Sequence, residues 1–491
     1  MDGFQLFIDG GFTDARDDRR FESVNPATGD AWASIPDAQE QDVDRAVQAA
    51  HRAFREGPWP RMSAGQRADL LRALADRLAA AGAEIGRIET TDTGKLLKET
   101  IWQAENTAKI YRYFASLAEI EEGAIAPSPG NKLLNLIIHE PVGVVAAIIP
   151  WNSQLQLSAY KIGPALATGN TIVVKASEDA SAPLLAFAKI AAEVGFPPGV
   201  FNVVSGQAAN CAVPLTRHPF VRRIAFTGGV ETARKIIPNS AANLAKLSLE
   251  LGGKSPVIVF DDSDLDSVVN GQIAGIFGAS GQSCAAGSRL ICQDGVYEEV
   301  VSRLTARIKT ITIGDPLQAS TDMGPLATEK QRSRIERILD ESLRSGARLL
   351  AGGARPAGFD RGFYFEPTVV QCPDQSSSVV RQELFGPVLS VLRFKTEEQA
   401  IAIADDSEFA FAGGVFTRDL TKALRVARSI QAGRIWVNTY RATAGNVPFG
   451  GFRNSGYGRE GGSDALRDYT EAKAIMINAT GEPVADPFVM H

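Results

Sequence analysis

The chain has 491 residues, 44% hydrophobic and 22% charged, an ordinary globular balance that argues against wholesale disorder. That length exceeds one typical core, so two or more large domains are expected. A formal net charge of -6 and a pI near 5.5 argue against nucleic acid as the main partner, because phosphate binding needs a basic face.

The stretch Met1-Asp2-Gly3-Phe4 lacks the basic and apolar segments of a signal peptide, and none is expected. Residues 1–40 read as short strands and turns, with Asn25-Pro26-Ala27-Thr28-Gly29 a strong turn signal. A helix is predicted from Asp42 to Phe54, where Val43, Ala46, Val47, Ala50 and Phe54 share one face. Gly57-Pro58-Trp59-Pro60 breaks it. Ser63 and Gln66, at capping-box spacing, open the next helix, which carries the stripe Leu70, Leu71, Leu74 and Leu78. Further helices are predicted over Glu84–Leu97 and Glu99–Leu117. Residues 123–131 read as a loop, and Lys132–Pro150 as β structure interrupted by His139-Glu140-Pro141. The apolar run Pro141–Trp151 is too short to span a bilayer, so no membrane partner is expected.

Strands at Thr171–Lys175, Val200–Val204, Arg222–Thr227, Lys246–Glu250 and Pro256–Phe260 then alternate with helices. The helices are Ala180–Val194, Ala208–Thr216 and one from Glu231. Such alternation argues for an α/β fold, a parallel sheet with helices on both faces. It resumes beyond Ser255, with strands near Leu290–Cys292, Val388–Phe394, Gly413–Phe416 and Arg434–Asn438, so a second α/β unit is expected. Pro448–Gly462 is a glycine-rich loop and Ala474–Asn478 a closing strand.

Cys211, Cys284, Cys292 and Cys372 show no CxxC spacing and read as reduced thiols of a cytoplasmic protein. The histidines are His51, His139, His218 and His491, too scattered for a histidine metal site, so no metal is expected. Glu250 lies in Leu249-Glu250-Leu251-Gly252-Gly253-Lys254, and Cys284 ends Gly281-Gln282-Ser283-Cys284. Brought together, they are a base and a nucleophile; a thiol attacks only as thiolate. The small residues Ala285-Ala286-Gly287 leave room for substrate, although Cys284 taken alone reads first as a buried structural cysteine. Pro150-Trp151-Asn152-Ser153 ends a strand, where the Asn152 amide either donates to an oxyanion or caps the next helix. Lys175 and Glu178 follow another strand and suit ribose hydroxyls, or form a solvated pair. Phe226-Thr227-Gly228-Gly229 sits where a strand meets a helix, whose first N–H groups can hold a pyrophosphate.

Each signal is weak singly, but their order and spacing resemble the aldehyde dehydrogenase superfamily. The resemblance continues through Gln382-Glu383-Leu384-Phe385-Gly386-Pro387, Trp436-Val437-Asn438, Pro448-Phe449-Gly450-Gly451 and Ser455-Gly456-Tyr457-Gly458-Arg459-Glu460, and covers nearly the whole chain. It implies two Rossmann-like parallel-sheet domains plus a small β oligomerisation arm. Residues 1–118 and 141–252 would form the NAD-binding domain, 253–454 the catalytic domain, and 119–140 with 470–491 the arm. Cys284 would be the nucleophile, Asn152 and the Cys284 N–H the oxyanion donors, Glu250 the base for water and Glu460 a proton relay. Pro150, Trp151, Lys175, Glu178, Gly228, Gly229, Glu383 and Phe385 would bind NAD, with Glu178 repelling the 2′-phosphate of NADP. A small-molecule aldehyde would be oxidised to its acid, and a homodimer or homotetramer is implied.

Departures from the family pattern concern the cofactor helix and the substrate channel. Gly229 stands where many relatives have serine, and Ala233 where a glycine is frequent. Ser153-Gln154 replaces a frequent Phe-Pro, Tyr160 a frequent tryptophan, and Thr443 a frequent aromatic, while Phe449 is retained. With Arg441 near the channel mouth, these changes point to a polar or anionic aldehyde. The rival readings are a coenzyme A-acylating semialdehyde dehydrogenase, which commonly lacks the base at Glu250, a catalytically silent structural member of the fold, and a thiol hydrolase working without NAD.

Overall fold

The computed structural model describes residues 2–128, 130, 132–484 and 486–488. Its first large sheet has eight strands among the described residues. In spatial order they are Gly456–Tyr457, Lys246–Glu250, Val221–Thr227, Val144–Ile148, Thr171–Lys175, Phe201–Val204, Leu6–Ile8 and Gly11–Thr13. The five strands from Lys246–Glu250 to Phe201–Val204 run parallel; the outer ones are antiparallel. Every residue of Val144–Ile148 and Thr171–Lys175 is buried, as expected where helices cover both faces. Core clusters on either side confirm this, one built on the helices Ala64–Ala80, Leu97–Ala118 and Gln154–Ala167, the other on Glu40–Arg55. In register, Ile148 pairs with Lys175 and Thr227 with Glu250. Strand ends carrying Asn152, Lys175, Gly228 and Glu250 therefore share the carboxyl edge of the sheet, where ligands bind in such folds.

The second sheet orders Arg348–Ala351, Thr368–Gln371, Val388–Phe394, Arg289–Gln293, Pro256–Val259, Ala412–Phe416 and Arg434–Val437, parallel except for the first. A third, antiparallel sheet joins Ala124–Ala126, Leu133–Pro141 and Thr470–Asn478. Ile125 and Ile475 both pair with Leu136, so Ile125 (71% exposed), Leu134 (38%) and Ile477 (42%) share one apolar face open to solvent. Residues 129, 131, 485 and 489–491 of the expected arm lie outside the described residues.

Three boundaries differ from the sequence reading. The predicted helix Glu84–Leu97 ends at Thr93, because Gly94 adopts φ +76° and its N–H closes the turn on Thr90; the next helix starts at Leu97. The stretch 123–131 contains a strand, Ala124–Ala126, which pairing with Leu133–Pro141 stabilises although its own pattern is short. Strand Leu133–Pro141 runs through His139–Pro141 and breaks instead at Val142–Gly143, where Gly143 has φ +124°. Proline is tolerated there because Ala124–Ala126 pairs only as far as Ile137, which leaves one side of the strand at Pro141 a free edge.

Candidate active site

Cys284 is reached through an unusual turn. Ala279 and Ser280 both have φ 52° and Gly281 φ +72°. Left-handed backbone costs about 1–2 kcal/mol per non-glycine residue, so surrounding contacts must hold the turn. They do: Ser280 Oγ donates to Gly324 O (2.8 Å), Ala279 N–H donates to Glu99 Oε1 (3.2 Å), and Gln282 Oε1 accepts from Ala327 N–H (2.9 Å). A side chain at Gly281 would overlap the Gly386 backbone, so only glycine fits. Gly253 brings the other segment in: a Cβ there would lie 2.6 Å from the Cys284 carbonyl oxygen.

Two cavities meet at the thiol. A cleft of about 480 Å³ is lined by Pro150, Trp151, Asn152, Gly228, Gly229, Glu250, Cys284, Glu383 and Phe385, among others. A smaller cavity of about 110 Å³ is lined by Ser153, Tyr160, Arg441, Thr443 and Phe449, and again by Asn152 and Cys284. Burial, with the Glu383 and Glu250 carboxylates, pushes the Cys284 thiol up to about 12; Arg441 and the Ala285 N–H pull the other way. Asn152 Nδ2 donates to Gln282 O (2.9 Å), which fixes the amide while its second N–H remains available. Among the described residues, the Cys284 N–H donates to no backbone carbonyl.

Glu250 ends its strand with both carboxylate oxygens buried and unpartnered among the described residues. Burial raises its pKa well above the ordinary carboxylate value, and the charge of Glu460 adds to that. Gly450, at φ +151°, packs so closely that a Cβ would sit 2.6 Å from Glu250 Oε1. The loop is anchored by Ser455 Oγ donating to Gly252 O (2.7 Å) and by Leu251 N–H donating to Ser455 O (3.0 Å). It delivers Glu460 to a buried ion pair with Lys161, whose ammonium also donates to Thr227 Oγ1 (2.6 Å).

In the larger cleft, Trp151 and Phe385 meet edge to face at 5.3 Å. Phe385 has φ 53° and is held by Gln331 Nε2, which donates to its carbonyl (2.9 Å). Glu383 Oε1 accepts from Gly253 N–H (2.9 Å), and burial pushes that carboxyl up to about 7. Helix Val230–Asn239 opens beside Gly229, where an added Cβ would meet only open space. The Gly228 N–H donates to Glu250 O (3.1 Å), because the strand pairing continues one residue past Thr227, so the N–H groups open to a ligand are those of the helix start that follows. Lys175 and Glu178 form an ion pair with each other at the end of the neighbouring strand and do not line the cleft. Burial opposes the Glu178 charge, but Lys175 outweighs it and holds the carboxyl below its ordinary value.

Sequence reasoning missed Gln331 and Arg334, which sit beside Glu383, and Gln103, Arg434 and Trp436 in the smaller cavity. Arg434 left a trace, a charge opening the apolar strand Arg434–Val437; Gln103, inside a helix, left none. Cys211, Cys292 and Cys372 are buried free thiols, and burial raises all three pKa values. Among the described residues no cluster of His, Cys, Asp and Glu could hold a metal ion, and no helix is long and apolar enough to cross a membrane.

Known proteins are similar to this chain in sequence and fold. The chain is 49% identical, over 491 residues and 100% of both chains, to the (Z)-2-((N-methylformamido)methylene)-5-hydroxybutyrolactone dehydrogenase of Acinetobacter baylyi. The NAD+ complex of an aldehyde dehydrogenase from Bacillus cereus superposes with a TM-score of 0.96 at 38% identity, covering 98% of this chain and 97% of that one. Betaine aldehyde dehydrogenase from Staphylococcus aureus, also with NAD+, gives 0.95 at 36% identity over 98% and 95%. Residues 12–475 match the aldehyde dehydrogenase family, and a chain so matched across both sheets and the cysteine turn between them belongs to that family.

Proposed function

We propose that this enzyme oxidises an aldehyde to its carboxylic acid with NAD, through a thioester on Cys284. The observation that carries the reading is the junction of two cavities at one thiol, with Asn152 beside it and an unpartnered buried carboxylate, Glu250, on the wall of the larger one. The larger cleft fits a dinucleotide. It offers a helix start with open space at Gly229, the Trp151–Phe385 pair, and the Glu383 carboxylate as a ribose acceptor. When bound there, NAD supplies a two-electron hydride acceptor.

The chain's own residues do the rest. The Cys284 thiolate adds to the aldehyde carbon, and the free Asn152 N–H with the Cys284 N–H receives the oxyanion. Once the adduct is oxidised, the acyl group is a thioester on Sγ. Glu250 takes a proton from water, hydroxide attacks the thioester carbon, and the acid leaves with the thiol restored. Lys161 and Glu460, the latter near enough for its charge to act on Glu250, offer that proton a route away. An aldehyde panel with NAD, followed by NADH absorbance, tests the reading; no NADH from any aldehyde would sink it.

Glu250 favours hydrolysis over acyl transfer, so the yield of acid is expected to be unchanged by added coenzyme A; a coenzyme A thioester product would point to the acylating rival. Glu178 stands outside the cleft wall but at the end of the strand next to the one that carries Trp151, so an adenosine ribose extending from the cleft would meet its charge; kept ionised by Lys175, it favours NAD over NADP. Glu178→Gln is expected to raise kcat/KM for NADP relative to NAD about tenfold, the effect of ~1.4 kcal/mol of relieved repulsion. An unchanged ratio would remove Glu178 from cofactor choice.

The smaller cavity, with Gln103, Arg434 and Arg441 in its lining, fits a polar or anionic aldehyde. The Acinetobacter relative is named for a 5-hydroxybutyrolactone, and that ring is the cyclised isomer of a 4-oxobutanoic acid. The apolar face of the three-stranded sheet is assigned to contact with a second copy of the chain, giving a dimer or tetramer. Four free cysteines fit a reducing, cytoplasmic setting.

A further inference from the structure

The smaller cavity holds two guanidinium groups and no carboxylate: its lining includes Arg434 and Arg441 but neither Asp nor Glu. Arg434 Nη2 donates to Val447 O (3.3 Å) and Pro448 O (3.0 Å), while its Nε is buried without a partner among the described residues. Its guanidinium lies 5.0 Å from the Phe449 ring centroid, which fixes its plane against the cavity wall. Arg441 Nη1 donates to Ala274 O (3.3 Å) and Gly278 O (3.1 Å). Each protein acceptor these two groups meet among the described residues is thus a neutral carbonyl, and neither group forms an ion pair there; the carboxylate whose charge acts on Arg434, Glu250, lines the larger cleft instead. The wall behind them adds Lys95, whose ammonium feels the carboxylates of Glu89 and Glu99. Lys95 Nζ donates to Ser153 Oγ (2.6 Å) and Gln103 Oε1 (2.7 Å), and both acceptors line the cavity. Ser153 Oγ accepts that bond, so its own hydrogen is left to donate elsewhere.

Unpaired cations gathered in one small cavity are costly unless the occupant brings the counter-charge. We propose that Arg434 and Arg441 together form the receptor for a carboxylate carried by the substrate, so that the enzyme takes short oxo acids in their open-chain form. The proposal rests on the reading of Cys284 as the site of aldehyde oxidation and names its substrate class. A ring-closed hydroxylactone has neither the charge for the arginines nor the aldehyde carbonyl for Cys284. In water its ring C–O bond breaks and the hydroxyl proton is lost, giving the aldehyde, the carboxylate and H⁺. The arginine pair then holds the open form. Arg434 and Arg441 are therefore specificity-determining residues, and Arg434 is the one that motif reading does not reach.

The test compares 4-oxobutanoate with butanal, its neutral counterpart, in wild type, Arg434→Met and Arg441→Met. Charge-assisted bonds of this kind predict a kcat/KM preference for the oxo acid of about 10- to 100-fold in wild type. Arg434→Met is expected to reduce that preference about tenfold, chiefly through KM, with Arg434→Lys restoring part of it. Equal loss on both substrates would overturn the assignment, since a merely structural role moves both. Calorimetry separates this from failure of the oxidation reading. Wild type is expected to bind 4-hydroxybutanoate and not 1,4-butanediol, and Arg434→Met or Arg441→Met to lose that binding. Equal binding of the two probes, or binding untouched in both variants, would overturn the receptor even if aldehydes are oxidised. Selective binding without any NADH would keep the receptor and sink the oxidation.

Discussion

Cys284→Ala is expected to abolish aldehyde-dependent NADH formation, a loss of at least about 10⁴-fold, measured with any aldehyde the wild type accepts. The methyl removes the only thiol that reaches both cavities, since Cys211, Cys292 and Cys372 are sealed in the cores. The fold is expected to persist, because the turn before Cys284 is held by Gln282, Ser280 and Gly281 and not by the sulfur. Residual steady turnover above background in a correctly folded variant would overturn the thioester route. The wild-type thiol carries its own pH signature. Burial and two carboxylates hold it up at about 12, so without ligands it is protonated at neutral pH. Alkylation by iodoacetamide should then be slow at pH 7 and accelerate with rising pH.

Glu250→Gln is expected to separate two steps. Acylation survives, giving a burst of NADH near one equivalent per site, and steady turnover falls by about 10²- to 10⁴-fold as the thioester stalls. Loss of the burst as well would mean that Glu250 also deprotonates Cys284. The pH dependence follows from the sign of the shift. The raised pKa keeps the carboxyl protonated into a range where ordinary glutamates are ionised, and a base works only when deprotonated. Deacylation in the wild type should thus rise with pH along a limb displaced above the usual carboxylate range. Stability runs oppositely. A raised folded-state pKa means the native state binds the proton more tightly than the unfolded chain, so Glu250 loses stability for the protein as pH rises through that pKa. Glu250→Gln should therefore melt higher than wild type at alkaline pH, with the gap closing on acidification.

The two-sheet architecture was legible because parallel strands buried on both faces are short apolar runs, and Val144–Ile148 or Thr171–Lys175 can be little else. Cys284, Glu250 and Asn152 were legible through short motifs in a fixed order. What the motifs did not give was reach. Arg434 enters the smaller cavity by virtue of a long side chain laid over Phe449, a contact set by tertiary packing and not by local pattern. Gln331 and Arg334 arrive on a helix, Glu329–Arg344, whose residues carry no motif, yet Gln331 fixes the turn that presents Phe385. The partner of the Gly228 N–H was out of reach because that acceptor, the Glu250 carbonyl, lies on an adjacent strand. The helix break at Gly94 is a single positive φ, and periodicity on both sides masked it.

Asn152, Leu157 and Cys284 are the wall that the two cavities share. A blind pocket imposes a queue, since whatever enters first lies beneath whatever follows. A thiol set in a party wall does not: an occupant of either chamber covers one approach to the sulfur and leaves the other clear. Sterics alone therefore impose no compulsory order of addition on the two reactants, and a spent dinucleotide can depart while the acyl group still occupies the sulfur. Any strict sequence seen in steady-state kinetics would have to come from the charge state of Cys284, which the contents of each chamber can alter.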